Sequence, residues 1–197
     1  MDITITGKEP LINPKFIRPY RLNFIQNGKP RTWECISAMP SVSALLYHKS
    51  KDSFVFVRQF RPAVWHATAD DSAISKDERG YTYELCAGLL DKGLSEEQTI
   101  IEEIAEETGY AVSSLIRITR TRSGFGFSGN AQTMFYAQID DDMLIGEGGG
   151  VEDEYIELFY LPRTMAHEFI FDERYVKGFG LGFALFWWKD KFNLALK

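Results

Sequence analysis

The chain has 197 residues, 45% hydrophobic and 25% charged. That is the balance of a globular domain with its own core, and it excludes a disordered chain, a collagen or a disulfide scaffold. The net charge is −6, from 22 Lys and Arg against 28 Asp and Glu, which excludes the broad basic footprint of a nucleic-acid binder. Cys35 and Cys86 are the only cysteines, and His48, His66 and His167 show no ligand spacing, so no zinc site is expected and a reduced, cytoplasmic setting is. No basic region followed by an apolar run marks a secretory leader. The longest apolar stretch, Gly178 to Trp188, holds three glycines and is too short to span a bilayer. A buried C-terminal helix, with Trp187 and Trp188 in the core, is expected there and no membrane partner.

In chain order, Phe16 to Gln26 predicts a strand, Asn27-Gly28 a hairpin turn, and Arg31 to Ile36 the return strand. Ser41 to Tyr47 and Ser53 to Phe60 predict two more strands. Residues 66–80 are small, polar and aperiodic, the pattern of a mobile surface loop. Tyr81 to Cys86 predicts a short strand ending at Ala87-Gly88. Ser95 to Thr108 is the clearest helix: Ser95 and Gln98 form a capping box, Ile100, Ile101, Ile104 and Ala105 a buried stripe, and Gly109 the stop. Leu115 to Arg122 and Gln132 to Ile139 predict strands around a loop. Gly146 to Gly150 is a flexible glycine-rich segment, Tyr155 to Leu161 a strand, and Thr164 to Phe169 and Asp172 to Phe192 two helices. Strands before and after a central helix give a mixed sheet with helices packed on it.

The acid is concentrated in two clusters, one over Glu96 to Glu107 and one over Asp140 to Glu157. At 100° per residue Glu103 and Glu107 lie one turn apart on one helix face, with Glu106 beside them. Like charges so placed destabilise a helix by a few tenths of a kcal/mol per pair. Either the face is simply solvated, or a hard divalent cation sits between the carboxylates. Oxygen ligands without His or Cys point to Mg²⁺, or Mn²⁺, rather than zinc.

The stretch from Gly88 to Tyr110, GLLDKGLSEEQTIIEEIAEETGY, resembles the box of the Nudix hydrolases. Gly88 matches its first glycine, and Glu103, Ile104, Glu106, Glu107, Gly109 and Tyr110 match its E-U-x-E-E-x-G-U tail, U being bulky and apolar. Leu94 stands where the first box Glu belongs and Glu102 where the Arg belongs; Glu96 or Glu97 are candidates to replace that first Glu. Beyond the box, five blocks in order resemble the ADP-ribose and sugar-nucleotide branch, and within it the uridine diphosphate glucose pyrophosphatases: YRLNFIQNGKPRTWE, RQFRPAVW, ELCAGLLDKGLS, SGFGFSGNAQTMFY and GGGVEDEYIE. Cys86 replaces the proline usual in E-[LF]-P-A-G, and Ser123 to Asn130 lacks the proline and glutamate of the ADP-ribose enzymes' loop, which favours the UDP-sugar side.

The resemblance implies an α/β fold, the Nudix α/β/α sandwich with a mixed sheet. It further implies an N-terminal β extension over residues 1–40 that builds a homodimer, and a hydrolase domain over residues 41–197. It implies Glu103 and Glu107 as Mg²⁺ ligands, Glu106 as a near ligand, and the carbonyl of Ala87 as another. Glu154, or second Glu152, would orient or deprotonate the attacking water. Arg61, Glu84 and Trp33 would bind substrate, Arg61 at a phosphate and Trp33 by stacking on the base, against the plainer readings of a surface ion pair and a packed ring. Gly148 to Gly150 is either a loop closing over substrate or a linker. Cys86 is expected to be a buried small apolar residue. The activity implied is Mg²⁺-dependent hydrolysis of a nucleotide sugar, UDP-glucose to UMP and glucose 1-phosphate. The alternatives are an ADP-ribose pyrophosphatase, or a nucleotide-binding module that kept the fold and lost the chemistry.

Overall fold

The computed structural model describes residues 3, 6, 7, 9–14, 17–151 and 154–196. The chain forms two compact units, Met1–Met39 with Arg122–Asn130, and Pro40–Thr121 with Ala131–Lys197. In the first unit, β1 (Arg18–Gln26) and β2 (Lys29–Ser37) form an antiparallel hairpin pairing Leu22 with Trp33. Asn27 and Gly28 turn it with φ of 52° and 75°, the left-handed pair that a two-residue hairpin requires. Within the same unit the Trp33 indole N–H donates to the Gly126 carbonyl at 2.7 Å, and the Ile36 N–H to the Phe127 carbonyl.

The second unit is built on a mixed sheet. Its elements are β3 (Ser41–His48), β4 (Ser53–Phe60), α1 (Pro62–Ala67), β5 (Tyr81–Glu84), β6 (Cys86–Leu89), α2 (Glu96–Thr108) and β7 (Ile116–Ser123). They continue with β8 (Asn130–Ile139), β9 (Ile156–Pro162), α3 (Ala166–Phe171), β10 (Val176–Lys177) and α4 (Phe179–Phe192). The strand order is β10-β5-β4-β3-β8-β7, with β6 also on β3 and β9 also on β4. β3 runs parallel to β8, and β4 antiparallel to β3, β5 and β9. Alternation sorts each strand between two cores. Val42, Ala44, Leu46, Val55, Val57, Phe135 and Ala137 pack with Ile100 and Ile104 of α2. Leu45, Phe54, Phe56, Met134 and Tyr136 pack with Phe169 of α3 and Leu181, Leu185 and Trp188 of α4. The sandwich is therefore helix, sheet, helix, as expected.

Three local readings are corrected. The segment read as a loop from residue 66 starts with the tail of α1, because Pro62 fixes a helical φ at the first turn. The strand read over Tyr81 to Cys86 breaks at Leu85: Tyr81–Phe60 to Glu84–Val57 pair with β4, then Cys86 to Leu89 pair with β3. The helix read from Asp172 starts at Phe179. Asp172 instead grips Arg174 through both carboxylate oxygens, and Val176 and Lys177 form a short parallel strand on β5.

Candidate active site

Helix α2 supplies the acidic face, and both of its ends are built for it. Ser95 accepts from the Gln98 N–H and the Gln98 side chain accepts from the Ser95 N–H, the reciprocal capping box. Glu96 and Glu97 in the first turn complement the positive end of the helix. Gly109 closes the other end at φ 76°. Glu103, Glu106 and Glu107 fall toward the negative end, where no basic residue offsets them within the helix.

Glu107 is 6% exposed. Its Oε2 accepts from the Ala87 N–H of β6 at 3.1 Å, and the Cys86 thiol beside it also favours the charged carboxylate. Burial nevertheless pushes the Glu107 carboxyl up to about 7, with the charges of Glu103 and Glu154 adding to it. Burial also raises Glu103, against the pull of Lys92 and with the help of Glu106 and Glu154. Gly88 is required beside it: a Cβ there would run into the Glu103 carboxylate. Cys86 is fully buried and burial holds its thiol well up, the inert small residue expected.

The glycine-rich segment is docked rather than loose. The Gly149 and Gly150 N–H groups donate to the carbonyls of Glu107 and Glu106 at 2.9 and 3.1 Å, and Ile145 and Gly146 donate to the Gly109 carbonyl. They satisfy acceptors that the end of α2 leaves unpaired. Gly148, at φ 67°, has no room for a side chain: a Cβ would lie 2.6 Å from the Glu107 carbonyl oxygen. From this anchored turn the chain reaches Glu154, which is exposed and accepts from the Val151 N–H at 3.2 Å.

Arg61, at the start of α1, grips Glu84 of β5 by two parallel bonds, Nε to Oε1 and Nη2 to Oε2, each 2.8 Å. Burial pushes Glu84 up, but Arg61 and the Thr82 hydroxyl outweigh it and hold the carboxylate ionised. The charges of Glu107 and Glu154 also act on Arg61. The structure thus gathers Arg61, Glu84, Ala87, Glu103, Glu107 and Glu154 around the break between β5 and β6. Glu106 is paired with Lys92, whose ammonium lies 3.4 Å from Oε1 and also reaches Glu102 at 3.8 Å. Trp33, half exposed, belongs to the other unit. Glu152 lies outside the described residues.

Sequence reasoning missed Lys92, since the acidic stretch itself holds no basic residue and a loop supplies one. Glu96 is held by the Thr133 hydroxyl at 2.8 Å and faces Arg117 and Arg120, so it has another task than replacing the first box Glu. The histidine reading is also corrected. His48, fully buried, is brought beside Asp140 and Asp141, with ligand atoms within 4.8 Å of one another. The Lys51 ammonium already sits 3.0 Å from Asp141 in that cluster.

Glu103, Glu106 and Glu107 form a donor set of hard oxygens in which burial, with repulsion between the carboxylates added to it, raises Glu103 and Glu107, and a hard divalent cation relieves that cost. No family model matches the chain. It is 38% identical over 194 residues, 87% of each chain, to the uridine diphosphate glucose pyrophosphatase NUDT14 of Bos taurus. It is 34% identical over the same share to that of Mus musculus. A GDP-mannose pyrophosphatase of Cronobacter sakazakii is 37% identical over 126 residues, 64% of this chain and 61% of its own. The chain belongs to the Nudix hydrolases and is an enzyme that hydrolyses a phosphoric anhydride.

Proposed function

We propose that this protein is a Mg²⁺-dependent nucleotide-sugar diphosphatase of the cytoplasm that splits UDP-glucose and water into UMP and glucose 1-phosphate. The observation that carries it is the meeting of Glu103 and Glu107 with Glu154 and Arg61, in a chain that is similar over 87% of its length to a UDP-glucose pyrophosphatase. A pyrophosphate brings about two negative charges, which bare carboxylates repel. Glu103, Glu107 and, once freed from Lys92, Glu106 would hold Mg²⁺, with the Ala87 carbonyl beside them. Bound there, the metal would supply charge neutralisation of phosphate oxygens and a more acidic water. Arg61 meets a substrate phosphate while Glu84 fixes its guanidinium plane. Glu154 accepts the proton of the attacking water as its oxygen bonds to phosphorus, and the bond from that phosphorus to the bridging oxygen breaks. Trp33 stacks on the base, and the N-terminal β extension over residues 1–40 joins two copies into a homodimer.

The test is incubation with Mg²⁺ and, separately, UDP-glucose, GDP-mannose and ADP-ribose, with products resolved by ion exchange. UMP and glucose 1-phosphate, abolished by chelation, are expected. Glu107→Gln and Glu154→Gln should each lower turnover by roughly a hundredfold or more. Undiminished turnover in either variant refutes the assignment of that residue.

A further inference from the structure

We infer that a cavity of about 370 Å³ in the second unit receives the sugar half of the substrate, read by Ser43 and Gln132. This rests on the nucleotide-sugar reading above and adds where the sugar sits and what recognises it. The cavity opens between β3, β5, β6 and β8 and the first turn of α4, and Glu84 and Ala87 are part of its wall. Glu84 holds Arg61, and the Ala87 N–H holds Glu107. The cavity thus shares two wall residues with the groups proposed to meet phosphate and metal.

Ser43 is the unexplained residue of this wall. On β3 it shares a face with Leu45, which is core, yet it places a hydroxyl there. The residue is 1% exposed and its Oγ has no hydrogen-bond partner. A buried hydroxyl without a partner is unfavourable for folding, and alanine would serve the core better. One that lines a cavity is satisfied when a polar ligand enters. Gln132 of β8 is the second reader. Its Nε2 donates to Ser41 Oγ at 3.1 Å, which orients the amide, and its Oε1 lies toward Gly180, 4.0 Å from where a Cβ would stand. Gly180 keeps that side of the wall open.

The chemistry of the wall selects a sugar over a base. Val64, Leu85, Val176 and Leu181 are aliphatic, and no aromatic ring among the described residues lines the cavity. A base would find no stacking surface there, whereas sugar hydroxyls would find a donor-acceptor hydroxyl and an amide oxygen. The volume is near the low end of the roughly 300–1,000 Å³ usual for small-molecule sites, room for half a nucleotide sugar.

The experiment uses the full chain with Mg²⁺. Binding of glucose 1-phosphate and of UMP is measured by calorimetry for the wild type, Ser43→Ala and Gln132→Leu, beside KM for UDP-glucose. Ser43→Ala should weaken glucose 1-phosphate binding and raise KM about three- to tenfold, the loss of one hydrogen bond. UMP affinity should be unchanged, and the variant should unfold at no lower temperature than the wild type, since the lost hydroxyl has no protein partner. Gln132→Leu should act in the same direction. Weakened UMP binding with glucose 1-phosphate unaffected would overturn the inference by putting the nucleoside half in the cavity. Unchanged binding of both ligands in both variants would overturn it too. A wild type that binds glucose 1-phosphate through Ser43 but hydrolyses no nucleotide sugar would refute the function proposed above and leave the sugar site standing.

Discussion

At Glu107 a nearly buried carboxyl shares a helix face with Glu103 and is held at about 7 chiefly by burial. In the metal-free protein the folded state therefore keeps a proton that the unfolded chain, with its ordinary value of 4.5, has lost. The sign follows: the contribution, of about 3 kcal/mol at most, is complete below the unfolded value and disappears as pH rises through about 7. Thermal unfolding in chelator across that range should show falling stability, and Glu107→Gln should flatten the slope. A cation held by Glu107, as proposed, would displace the same proton, so Mg²⁺ affinity should weaken below pH 7, by up to about tenfold per pH unit. Calorimetry in buffers of different ionisation enthalpy would register the released proton. Lys92 works on the same cluster from outside. Its ammonium competes for Glu106 across an exposed ion pair worth about 0.2–1 kcal/mol. Lys92→Ala should accordingly lower the Mg²⁺ concentration needed for half-maximal turnover by a few fold, and a higher requirement would contradict Glu106 as a ligand.

The two ends of α2 are closed by different means. A local capping box starts it, and a glycine turn from later in the chain finishes it. That turn also leads into Glu154, so helix stability and placement of the proposed base are coupled through Gly148 to Gly150. Gly148→Ala sets a methyl against the Glu107 carbonyl at a positive φ, and should cost about 1–3 kcal/mol by thermal melting. It should also reduce kcat, because Glu154 shifts with the turn. Gly146→Ala is the control, since nothing lies within 4 Å of a Cβ there. Equal effects of the two substitutions would break the link between the turn and the site.

For the whole molecule, the sheet separates two cores, and the acidic face proposed to be catalytic belongs to the α2 side while the proposed sugar cavity opens toward α4. No helix among the described residues is long and apolar enough to cross a membrane. The hairpin of β1 and β2 leaves Tyr20, Leu22 and Trp33 about half exposed and Ile25 more so. A lone two-stranded hairpin is marginal in water and gains from a partner. Sedimentation at micromolar concentration should therefore give twice the chain mass of 22.6 kDa. A species of 22.6 kDa would refute the dimer.

Chain-local features were readable without coordinates. The apolar, β-branched and aromatic runs of β3, β4 and β8, the Asn27-Gly28 turn and the capped, stopped helix over Ser95 to Gly109 depend on residues a few positions apart, and so does the shared face of Glu103 and Glu107. What needed the folded chain were the long-range partners: Lys92 on Glu106, Arg61 on Glu84, the glycine turn on the end of α2, and His48 beside Asp140 and Asp141. The break at Leu85 was equally hidden, because whether a strand stays on one neighbour or crosses to another depends on the sheet and not on its own side chains. Ser43 shows the limit most plainly. In the sequence it is one small residue in an apolar strand; only tertiary packing, by burying its hydroxyl at a cavity with no partner, gives it something to do.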